Sequence, residues 1–174
     1  LDGWVYRVNV PDAVEGLTAV RAFTQLTLLQ YANQGAPRSA ELPTWLVEGL
    51  TLWLLSDTRG ASFLNKASWA SAPRLSARLV VGQDRLAPVR AYLRANPALS
   101  FTDLSGTPPG DEAGLLRYQM SAQLLVAQIL QAPDGRDRMG AMLRALPHCW
   151  NWQTAFLDAF GFERLLAVEK WWSV

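Results

Sequence analysis

The amino-acid sequence predicts a mainly α-helical fold of the α+β class, in which a minor N-terminal strand region precedes a series of helices. Three observations carry that expectation. Apolar residues recur at helical spacing through stretches such as "RAFTQLTLLQY" and "LRYQMSAQLLVAQIL", as they do where one face of a helix is buried. Proline, glycine and capping side chains interrupt those stretches at intervals suited to helices. Large apolar and polar residues alternate in "WVYRVNV", Trp4 to Val10, which is rich in β-branched and aromatic types and reads as a strand.

The elements follow in order. Pro11 and Asp12 end the strand, and a long helix is expected from about Asp12, its N-cap, to Asn33, with Gly35 and Pro37 beyond its far end. A second helix begins near Pro43 or Thr44 and runs to about Ser56. Residues 57–82 mix Gly, Ser, Pro and an isolated tryptophan, the composition of a long connection with one short helix. "DRLAPVRAYLRAN" is a weaker helix, and "SGTPPGDE" breaks the chain before the next one. Three further helices are expected at about Asp111 to Gln131, Gly135 to Leu146 and Trp150 to Phe160, with a last turn into "FERLLAVEKWW".

Composition narrows the function classes. A chain of 174 residues suits one domain with a single core, and residues 1–174 are taken as that domain. It opens on Leu1 with no methionine and no apolar leader, as expected of a domain excised from a longer or processed chain. Sixteen basic residues are scattered among 15 acidic ones for a formal net charge of +1, so no basic stripe marks a nucleic-acid partner. Runs such as "LTLWLL" and "LLVAQIL" fall short of the roughly 20 residues a membrane span needs. Cys149 is the one cysteine, which leaves no internal disulfide and no cysteine-rich metal site. Eight tryptophans are many for this length. Most lie in apolar helical patterns, which assigns them to core and helix packing ahead of a ligand-stacking surface.

One spacing carries chemistry. "LPTWLVEGLTLWL" resembles the segment "LPxWLxEGLAEYL" of the peptidase MA-like family of gluzincin metallopeptidases, where the glutamate is the third zinc ligand. In that family the first two ligands come from a His-Glu-x-x-His helix, whose imidazoles at i and i+4 reach one metal from one face while the glutamate between them activates water. Counting back the family's usual twenty residues from Glu48 reaches Leu28 and places the zinc helix on "TQLTL". "LRYQMSAQLLVAQIL", with Tyr118 and Gln119, is similar to the family's "AYxQAxxFVxYL" helix. "RMGAMLRALPHCWNWQTAFLDAFGFERLLAVEKWW" resembles its closing segment with "AFxxAFG" and "LExxWW". The likeness covers the chain from about Val20 onward and implies a zincin-like helical domain.

The departures fall on the catalytic positions. Thr24 and Leu28 stand where the histidines belong, and a leucine has no lone pair to offer a metal. Gln25 replaces the general base, and an amide does not take a proton from water near neutral pH. Glu48 alone cannot hold zinc, so no metal is expected, no cofactor is assigned, and no residue is named catalytic. His148, the single histidine, lies far along the chain beside Cys149. Adjacent residues point apart and no third partner is evident, which favours an ordinary structural or surface role over a Cys-His nucleophile. No Gly-x-Ser-x-Gly elbow, Walker loop or dinucleotide fingerprint is present.

Glu48 shares a helix face with Trp45, Leu52 and Leu55, so it is expected to lie against other side chains and to need a hydrogen-bond partner there. Thr24, Gln25 or Tyr118 would serve, fixing two helices in register; alternatively Glu48 marks a residual ligand-binding cleft. In gluzincins a tyrosine from a later helix can stabilise the tetrahedral oxyanion. Tyr118 stands at that position, with packing and hydrogen bonding as its other role.

Two functions are therefore expected from the vestigial positions Thr24, Gln25, Leu28, Glu48 and Tyr118. One is a catalytically inactive, zinc-free metallopeptidase-like domain that binds a peptide or protein partner through the inherited cleft. The other is a hydrolase or peptidase rebuilt around Glu48 and Tyr118. The resemblance and the missing leader favour an exported bacterial protein, periplasmic or extracellular, over a cytoplasmic one.

Overall fold

The computed structural model of the chain describes residues 4–9, 16–56 and 84–173. Among them lie eight α-helices and one 3-10 turn: α1 (Gly16–Ala32), α2 (Thr44–Leu55), α3 (Ala87–Ala95), α4 (Phe101–Leu104), α5 (Glu112–Gln131), α6 (Gly135–Ala145), the turn Leu146–His148, α7 (Trp152–Phe160) and α8 (Leu165–Trp172). The predicted helices near 16–32, 44–55, 87–95, 112–131, 135–145 and 152–160 are present. The expected connection at 57–82, the helix start at Asp12 and Val10 lie outside the described residues.

The expected strand is not formed among the described residues. Residues 4–9 run without a partner strand, and a strand is defined by the ladder it shares with another. Side chains hold the segment instead. The Trp4 indole donates to the Ala36 carbonyl at 3.1 Å and the Tyr6 hydroxyl to Leu29 O at 3.4 Å, while the Asn33 amide donates to the Tyr6 hydroxyl. Asn33, itself buried, also accepts from Ala40 N at 2.7 Å, which closes the loop after α1.

Helix α5 is the hub. It is buried nearly all round, through Tyr118, Met120, Ser121, Ala122, Gln123, Leu125, Val126, Ala127 and Ile129, the pattern of a helix enclosed by others. Asp111 caps its N-terminus, accepting from Gly114 N at 2.8 Å. Helices α2, α3, α4 and α6 all pack on it, α2 most extensively, and α1 lies across α2 and α6. At one end of the core Trp45, Phe101, Trp152 and Phe156 form an aromatic cluster with ring centroids 5.3 to 6.4 Å apart. Helix α8 closes that end. Glu169 accepts from the amides of Phe101 and Thr102 at 3.2 and 3.3 Å, and the Trp172 indole donates to Leu99 O at 2.7 Å.

Trp45, Trp152 and Trp172 are buried and Trp53 packs half-buried against the core, as core and helix-packing residues do, whereas Trp4, Trp150 and Trp171 are exposed; Trp69 lies outside the described residues.

Packing of α2 on α5 depends on Gly49. A β-carbon there would sit 2.3 Å from the Ala122 carbonyl oxygen and 2.7 Å from Val126 Cγ2, and the backbone oxygen cannot rotate away. Alanine's better helix propensity is worth about 1 kcal/mol, less than the strain of forcing two packed helices apart. Gly49→Ala should therefore destabilise the fold by about 2 kcal/mol, read as a lower urea midpoint; an unchanged or raised midpoint would show that the helices do not approach so closely.

Candidate functional site

Helices α1 and α2 each carry one charged residue, Arg21 and Glu48, and the fold brings them together. The Arg21 guanidinium faces both carboxylate oxygens of Glu48. NH2 donates to Oε2 at 2.9 Å, and Nε lies 2.5 Å from Oε1. That second contact is an ion pair off the N–H axis, so the buried Nε makes no aligned hydrogen bond. From α5 the Gln119 amide donates to Oε2 at 3.2 Å. The Glu48 side chain is 11% exposed and that of Arg21 30%, so the pair is sealed on the carboxylate side and open to water on the other.

The partners differ from those expected. Glu48 is buried against other side chains, as its helical face requires, yet it binds Arg21 and Gln119 in place of Thr24, Gln25 or Tyr118. A full positive charge satisfies a buried carboxylate better than a hydroxyl or an amide does. Arg21 was the missed residue. Its signal was its standing as the lone charge on an apolar helix, one turn before Thr24 on the same face.

Thr24 and Leu28 are buried, and Gln25 is exposed. Thr24 and Leu28 line a groove of about 320 Å³ with Val20, Phe23, Thr27, Leu50, Leu54 and Leu55. Thr27 donates its hydroxyl to Phe23 O at 2.8 Å, so the groove is walled almost wholly by hydrocarbon. Tyr118 is fully buried and donates to Leu104 O at 3.1 Å. Burial pushes its hydroxyl well above the usual phenol range, and the nearby Glu48 charge pushes in the same direction. Tyr118 is thus a neutral hydroxyl whose proton is already given to a carbonyl, and an oxyanion would have to displace Leu104. His148 is exposed at the end of the 3-10 turn, with Cys149 half-buried beside it. No cluster of three His, Cys, Asp or Glu side chains suited to a metal occurs among the described residues.

Family profiles, curated proteins and solved structures offer no match to the chain.

Two outcomes follow from this geometry. Arg21→Ala leaves Glu48 buried without its counter-charge and should cost about 2 kcal/mol, below the range for a fully buried pair because Arg21 is partly solvated. Adding Glu48→Gln should recover about half of that loss in a double-mutant cycle of urea denaturations; additive losses would show that the pair does not interact. The raised Tyr118 value sets a direction with pH. Below about 10, folded and unfolded Tyr118 are both protonated and contribute no slope. Above that the unfolded chain releases the proton and the folded one keeps it, so stability falls as pH rises. In Tyr118→Phe the fall between pH 10 and 11.5 should be shallower than in the parent, although the variant is less stable overall for want of the Leu104 bond.

Proposed function

We propose that the chain is a metallopeptidase-like domain of gluzincin type that has lost both zinc and catalysis and works by binding a peptide or protein partner. One observation carries the proposal: the Arg21 guanidinium is ion-paired with Glu48, the residue that would be the third zinc ligand. The residues at the implied zinc site do not fit the ion. Thr24 and Leu28 supply no imidazole or carboxylate, and the single carboxylate is already neutralised by a cation that repels a second one. A peptide partner is supported by the apolar groove along Thr24 and Leu28, where an apolar side chain would be taken out of water.

The proposal is tested by metal content and by restoration. The purified chain should carry no stoichiometric zinc and show no chelator-sensitive peptide hydrolysis. One zinc per chain, whose removal abolishes hydrolysis, overturns it. Thr24→His, Gln25→Glu and Leu28→His together should create zinc affinity, and adding Arg21→Met should raise it by about tenfold by freeing Glu48. If the folded quadruple variant binds no zinc, "TQLTL" is not the ancestral metal helix.

A further inference from the structure

The groove between α1 and α2 has a knob beside it. Phe23, from α1, lines the groove and is yet 62% exposed, and Leu54, from α2, lines it and is 40% exposed. Between them Thr24, Leu28 and Leu55 are buried and form its floor. The volume of about 320 Å³ leaves room for a phenyl ring, since a cavity of about 150 Å³ already holds benzene. The same face thus presents a projecting ring and a recess that takes one. A short apolar peptide would fill the recess and leave Phe23 in water. A second copy of the chain, turned about a two-fold axis, fills both recesses and covers both rings.

Charge points the same way. A two-fold contact sets a surface against its own copy, so an unpaired charge on it would meet a like charge. Helices α1 and α2 carry only Arg21 and Glu48, and these neutralise one another. Thr27 and Gln30, one and two turns beyond Phe23 on the same stripe, are exposed and uncharged, as the rim of an interface with an apolar centre is. The stripe is not a span: no helix among the described residues is long and apolar enough to cross a membrane. With 17 residues α1 is about 25 Å long, and two packed helices are about 20 Å wide. The footprint is therefore about 500 Å² per copy. Twice that area lies at the small end of specific interfaces, which sets the expected association in the micromolar range.

We infer that the α1–α2 face pairs with the same face of a second copy of this chain, Phe23 of each copy entering the groove of the other. The inference rests on the binding role proposed for this groove and names its partner. Sedimentation velocity of the purified chain should show a weight-average coefficient that climbs from monomer toward dimer across the micromolar range. Added salt should not weaken the association, since no charge pair holds it. Phe23→Asp and Leu54→Asp should each weaken it roughly tenfold or more. Both positions are exposed, so the far-UV circular dichroism and urea midpoint of these variants should match the parent. Leu165→Asp, at an apolar residue of α8 that is 44% exposed, should leave the dimer intact. A monomer at every concentration, an association that salt dissolves, one that Phe23→Asp and Leu54→Asp leave at full strength, or one that Leu165→Asp removes overturns the inference. Such a failure leaves the zinc-free reading standing, whereas stoichiometric zinc overturns that reading whatever the oligomeric state.

Discussion

The close crossing of α2 over α5, made possible by the missing side chain at Gly49, is the constraint on which the rest of the molecule depends. Where backbone meets backbone at Ala122, the neighbouring positions are placed without freedom. Glu48 is rotated about 100° from Gly49 around its helix, which turns it off the contact and toward α1. Gln119 stands one turn before Ala122 and so arrives beside the carboxylate. One turn further along, the Gln123 amide reaches Leu52 O at 3.3 Å. The polar contacts along this seam are thus consequences of a packing distance.

The ion pair between α1 and α2 has a different role from the packing around it. In an otherwise uncharged helix pair, a half-sealed salt bridge adds little net stability, because desolvation offsets most of the attraction. It does discriminate among registers. Sliding α1 by one turn along α2 would leave Glu48 buried without its cation, a penalty that apolar contacts alone would not impose. The charge pair therefore selects one docking of α1, and the neighbouring groove inherits its shape from that choice.

Helices whose periodicity and punctuation agree were readable from the sequence. Asp111, the apolar run to Gln131 and the following Pro133 delimit α5 almost to the residue. Helix α4 escaped because four residues are too few to show a period. The Trp4–Val10 alternation misled because alternation describes a two-faced surface, and here the inner face met the end of a helix instead of a second strand. In the candidate site the burial of Glu48 was legible from Trp45, Leu52 and Leu55 on its own helix. Its partner was not, since the Arg21 contact spans 27 residues and two helices and local spacing reports only on neighbours along one helix. Tyr118 was singled out by position, but that its proton goes to Leu104 depends on where α4 packs.

The attachment of α8 bears on the order in which the molecule is assembled. Glu169 and Trp172 supply the acceptor and donor for backbone groups of residues 99–102, which lie 67 to 73 positions earlier in the chain. During vectorial synthesis those groups, with Trp45 and Phe101 of the aromatic cluster, emerge long before their partners. Until α8 arrives, the amides of Phe101 and Thr102 have only water to satisfy them, and that end of the core stands open. A ribosome-bound nascent chain would thus expose Trp45 and Phe101 for as long as α8 remains in the exit tunnel. That interval is the one in which a chaperone has apolar surface to grip.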